Sequence, residues 1–149
     1  MSAHLAIQQA IAAALVAAPA LASGNVRQNA TRPVASTSTQ GVVVRLAQSS
    51  APTPQVLAGP YTWTTRFEIE CLARAATGTA DPVAAVDGLL EAVWSRLSTL
   101  NTTGLGVMDL RMQPPIDWQL DDSETPLASA TVYLLVTHRT ASTTLTAAP

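Results

Sequence analysis

Three carboxylates, Asp121, Asp122 and Glu124, crowd around Ser123. Paired carboxylates exchange protons with a substrate or hold a hard cation. These lie between two strand-like stretches, just before Pro126, where Asp and Ser are ordinary turn formers. A solvated turn accounts for them best, and the runner-up use is repulsion of a passing polyanion. Glu68 and Glu70 stand two apart on the polar side of one strand pattern, with Arg66 and Arg74 beside them. Cross-strand or intersubunit ion pairs explain that group. Such exposed pairs contribute about 0–1 kcal/mol, so they set register more than stability.

The remaining reactive types are isolated. Cys71 is the single cysteine, so no intrachain disulfide forms, and it falls on the apolar side of its strand, which makes it a small core residue. His4 and His138 lie at opposite ends of the chain, His4 on an Ala-rich helix where it reads as exposed. No CxxC, HExxH or GxSxG pattern occurs, and the GLG at 104–106 lacks the third glycine and the following helix of a phosphate loop. We therefore expect no enzyme: no catalytic residue, no metal ligand set and no cofactor.

The elements that would carry these residues follow from periodicity. Ile7, Ile11, Ala14, Leu15 and Ala18 repeat at helical spacing, with Gln8 and Gln9 off the stripe, Ser2 as cap and Pro19 as stop. This predicts a helix over 3–18. The ALAS at 20–23 resembles a signal-peptidase site, yet residues 1–24 hold no Lys or Arg, so the helix reading is preferred to a secretory signal. Residues 24–40 are polar and Ser/Thr-rich, a loop with a possible short strand near 33–36. A strand spans 41–47, a Pro-rich loop 48–60, and a long half-buried strand the alternating Trp63–Arg74 stretch. Asp81 and Pro82 open a second helix whose stripe is Val83, Val86, Leu90, Val93, Trp94 and Leu97, ending before Asn101 and Gly104. Three strands follow. Met108, Leu110 and Met112 share one side of the first, a Pro-Pro turn leads to Ile116, Trp118 and Leu120 in the second, and Ala130, Val132, Leu134 and Val136 line the third. The expected fold is one α+β domain over 1–149, a mainly antiparallel (mixed) sheet flanked by helices, with 141–149 as a frayed tail.

Composition narrows the function classes. Of 149 residues 48% are apolar and only 12% charged, about half the usual charged share. A surface so poor in charge suits burial against other subunits. All eight basic residues are Arg, scattered without the cluster a nucleic-acid grip needs, and the net charge is −2. The longest apolar run is broken by Gln8, Gln9 and Pro19, too short to cross a bilayer.

Taken in order, the Ala-rich first helix, RPVA, VVVRL, a Pro-rich loop, WTTRFEIECLARA, DPVAAVDGLLEAVWSRL, IDWQLDD and SATVYLLVTHRT resemble the tail terminator family of tailed bacteriophages, the minor-tail-protein-U-like proteins. The likeness runs over most of the chain. It implies a sheet flanked by helices and a homo-oligomeric, hexameric ring at the head-proximal end of the tail tube. The ring stops tube polymerisation and joins the head connector. The implied partners are the tail tube protein and the head–tail stopper or connector protein. DNA passes through the channel without specific binding, no membrane is involved, and the chain assembles in the host cytoplasm into the virion. The family carries no catalytic residues. On this reading the interface residues are Arg32 and Gln55 in the long loops, Arg66, Glu68 and Glu70 on the long strand, and Asp121, Asp122 and Glu124 facing the channel or a neighbouring subunit. The alternatives are a head–tail stopper or connector-completion protein and, from another class, a secreted binding module resting on ALAS alone.

Overall fold

In the computed structural model, residues 1–30, 38–52, 58–75, 81–121 and 126–148 are described. Helix α1 spans Ala3–Val16, strand β1 Val26–Gln28, β2 Gln40–Ser50, β3 Tyr61–Arg74, helix α2 Pro82–Ser98, β4 Val107–Asp121 and β5 Leu127–Thr140. The strands form one sheet in the order β1-β2-β3-β5-β4. Strand β1 runs parallel to β2, and every other pair is antiparallel. This is the expected α+β fold with a mixed sheet.

Both helices cover one face of the sheet. Alternation along β3 sends Phe67, Ile69, Cys71 and Ala73 inward, and β5 adds Ala130, Val132, Leu134 and Val136. Ile7, Ile11 and Leu15 of α1 and Val86, Leu90, Val93 and Leu97 of α2 close over them. The predicted caps operate: the Ser2 hydroxyl accepts from the Leu5 amide at 3.3 Å, and an Asp81 carboxylate oxygen accepts from the Val83 amide at 2.9 Å.

The structure corrects several expectations. Helix α1 ends at Val16, and its buried face is wider than the predicted stripe, taking in His4, Gln8 and Ala12 while Ala18 is exposed. Gln8 is buried because its amide donates to the Val44 carbonyl at 3.0 Å and to Asn29 Oδ1 at 2.8 Å, stitching α1 to the strand edge. On α2, Leu89 is buried, whereas Val83 and Trp94 sit at the solvent margin. The ALAS segment is a tight turn in which Ala22, Ser23 and Gly24 all have positive φ. Within the predicted loop at 24–40, the short strand is at Val26–Gln28, and the stretch 33–36 lies outside the described residues.

The two strands expected between 104 and 121 are one. From Gln113↔Tyr133 to Asp117↔Thr131, β4 advances four residues while β5 advances two, so Pro114–Ile116 form a bulge inside a single strand. Proline is tolerated there because β4 is the last strand of the sheet and its outer side needs no ladder bond. The even insertion keeps Leu110, Met112, Trp118 and Leu120 on the helix side. A second bulge between Val107 and Asp109 leaves Met108 exposed. Residues 141–148, expected to fray, fold back. The Ala3 amide donates to the Leu145 carbonyl at 2.7 Å, and the Ala148 amide to the Arg139 carbonyl at 3.2 Å.

Candidate functional site

The sheet face without helices gathers most of the charge. Its side chains fall in rows across the strands. One row is Arg45, Glu68, Tyr133 and Gln113, and the next are Val43, Glu70, Thr131, Asp117 on one side and Gln48, Arg66, Leu135, Arg111 on the other. Arg45 Nη1 bridges Glu68 Oε1 at 2.9 Å and Glu70 Oε2 at 2.7 Å. Burial works against its charge, yet the Glu70 and Glu68 carboxylates hold the guanidinium above its ordinary range. The side chains are still a fifth to a third exposed, so the triad chiefly fixes the β2–β3 register. Arg66 lies 4.9 Å over the Tyr133 ring, and the Tyr133 hydroxyl donates to Asp117 Oδ2 at 3.3 Å. An open groove of about 460 Å³ runs beside them, lined by Glu68, Asp117, Trp118, Thr131 and Tyr133.

Four sequence-predicted interface residues are therefore on this one face: Arg66, Glu68 and Glu70 at mid-sheet and Asp121 at the end of β4, opposite Leu127. Arg32, Gln55, Asp122 and Glu124 lie outside the described residues. The ion pairs expected around Glu68 and Glu70 come from Arg45 on the next strand, not from Arg66 or Arg74. Arg45 is cross-strand rather than near in sequence, so only the strand register could have found it. On the same face Val43 and Leu72 are buried, although alternation placed Leu72 with the polar set.

A second polar group is hidden in the core. Ser49 Oγ and Thr65 Oγ1 are 3.0 Å apart, and Thr65 Oγ1 is 2.9 Å from His138 Nε2. The His4 ring meets His138 edge to face at 4.7 Å and Trp63 at 5.1 Å. His4, expected at the surface, is buried because the first turn of α1 docks against the β3–β5 end of the sheet. Burial pulls the His138 imidazole down to about 4, assisted by His4, and burial likewise lowers His4. The hydroxyl–imidazole chain has no carboxylate behind it among the described residues: His138 Nδ1 is buried without a hydrogen-bond partner. His138 is fully buried, so the group packs and orients rather than meeting a substrate. Burial, then Glu70, pushes the Cys71 thiol up to about 12, as a buried core cysteine requires. Among the described residues no three His, Cys, Asp or Glu converge as metal ligands.

No protein-family model matches the chain, and no curated protein sequence does. Solved structures do match it, among them one that aligns over most of the chain.

The fold recurs in a virion.

A chain of the virion of a native gene transfer agent (GTA) particle superposes with a TM-score of 0.57 at 18% identity, covering 89% of this chain and 94% of that one. At that identity the likeness is one of fold.

Proposed function

We propose that this chain is a structural virion protein of a tailed phage or phage-like particle, specifically a tail terminator. It forms a ring at the head-proximal end of the tail tube, stops tube growth and presents a surface to the head connector. The observation that carries this reading is the fold likeness to a GTA virion chain over 89% of this one. The motif order from RPVA to THRT points the same way and supplies the terminator role. The helix-free sheet face, with Arg66, Glu68, Glu70 and Asp121, is the surface turned towards neighbours or the channel. Its charges alternate in sign, so it offers a passing duplex no continuous basic track. The role is one of assembly, without a chemical step.

Adding purified protein to growing tail tubes tests the proposal. A terminator caps one tube end and halts elongation, and imaging of native particles finds the chain between tube and connector. Binding to the portal side with no effect on tube growth would instead make it a stopper. The secreted-module alternative runs against the packing: cleavage after Ala22 removes α1, whose Ile7, Ile11 and Leu15 belong to the core.

A further inference from the structure

The sheet ends in two unlike edges. On one, β4 offers a 15-residue strand with no strand on its outer side among the described residues, and its Trp118 and Leu120 are 45% and 58% exposed. On the other, β1 covers only Val42–Val44 of β2, and beyond β1 there is no further strand among the described residues. Long open edges template pairing with another chain unless they are blunted or used. Neither edge here carries lysine, since the chain has none, and although Pro114 and Pro115 interrupt the middle of β4, its last stretch, Asp117–Asp121, is regular and open among the described residues.

We propose that β4 of one copy adds antiparallel to the β1–β2 edge of a second copy, and that this contact repeats head to tail. Three observations select a second copy as the occupant. The first is direction. Strand β4 runs with β3, whereas β1 and β2 run against β3, so two copies side by side without inversion meet antiparallel.

The second is a match of side chains on the helix side. The row Val26, Val42, Cys71, Ala130, Trp118 begins and ends on an apolar residue, so Trp118 of one copy meets Val26 of the next. Apolar cross-strand neighbours of this kind stabilise a sheet seam.

The third is charge on the helix-free side. The row Arg27, Val43, Glu70, Thr131, Asp117 starts on an exposed arginine and ends on an exposed aspartate. In the same register Arg27 therefore faces Asp117 of the neighbour. A one-residue slip would set Arg27 against the opposite side of the sheet, so a single register satisfies both faces.

The contact joins two different surfaces, so it closes into a ring or grows into a filament, and a closed ring leaves no edge open. It supplies the neighbour contact of the terminator ring and rests on that reading for closure.

Charge reversal at the seam tests it. Arg27→Asp and Asp117→Arg each raise the subunit dissociation constant about tenfold or more, and the double reversal restores assembly, as complementary interfacial charges require. Native mass spectrometry and analytical ultracentrifugation read the mass, and circular dichroism confirms the fold of each variant. Hydrogen exchange gives a second readout, because outward amides of β4 slow when the wild-type chain assembles. A wild-type chain that stays monomeric at its highest soluble concentration overturns the proposal. So does assembly indifferent to both single reversals, a folded double variant that fails to recover, or β4 pairing only with a tube subunit. Tube capping that survives both reversals sinks the contact but leaves the terminator, whereas seam-dependent rings that never locate to a tail do the opposite.

Discussion

Arg96 does more than its place near the end of α2 announces. Its guanidinium donates to the carbonyls of Ala17 at 2.8 Å and Pro19 at 2.9 Å, with longer contacts to Ala14 and Leu15. It thus satisfies the carbonyls left open at the C-terminus of α1 and ties the two helices together. Arg96→Met keeps the aliphatic stem and removes the donors, so we expect a loss of about 1–2 kcal/mol in urea unfolding. His138 sets the acid limit. Its folded pKa, about 4, is below its ordinary 6.5, so the unfolded chain takes the proton more readily. The stabilising effect of neutral His138 is full above the ordinary histidine range and fades as pH falls through 6.5 towards 4. The swing is on the order of 3 kcal/mol. In His138→Gln, unfolding free energy should lose much of its slope between those pH values, with His4 supplying the remainder; an unchanged slope would show that His138 is not the group responsible.

The element least readable in advance is β4. Its two alternating runs were plain, but Pro-Pro between them carries the signal of a turn, and local sequence cannot say that a strand is at an edge. The same limit hid Gln8, which looked like the polar margin of a helix until the β1 and β2 backbones came beside it. By contrast β3 and α2 were legible nearly to their ends, because long alternation and an Asp-Pro start are local signals. The C-terminal strap is an element that the sequence did not announce. It passes over Gly106, whose φ is +64°, and a Cβ there would stand 2.7 Å from the Ala148 carbonyl oxygen. Gly106→Ala should cost about 1–3 kcal/mol for the left-handed backbone. It should also speed hydrogen exchange at Ala148, whose amide bonds the Arg139 carbonyl. Unaltered exchange there would mean the strap does not depend on the close approach.

At the scale of the whole molecule, α1 is part of the core. A chain lacking residues 1–23 loses Ile7, Ile11 and Leu15 from the apolar cluster and uncovers Val42 and Val44. We expect it to lose its cooperative thermal transition and near-ultraviolet dichroism; a cooperative transition close to that of the full chain would revive the cleavable-signal reading. The candidate interface was half legible. Arg66, Glu68 and Glu70 could be named because alternation put them on the polar side of one strand. Their partners, Arg45, Tyr133 and Asp117, come from strands 23 to 67 residues away in sequence or from the bulged edge, and no local pattern pairs them. What the sequence determined by itself was whatever one segment can specify: helix caps, periodicity, which face of each strand is apolar, and a charge too scattered for a nucleic-acid grip. Only the tertiary structure decided strand order, which polar residues are buried together and which edges remain open. Those depend on contacts between distant segments, where the cost of bringing the chain together is offset by burial that no single segment contains.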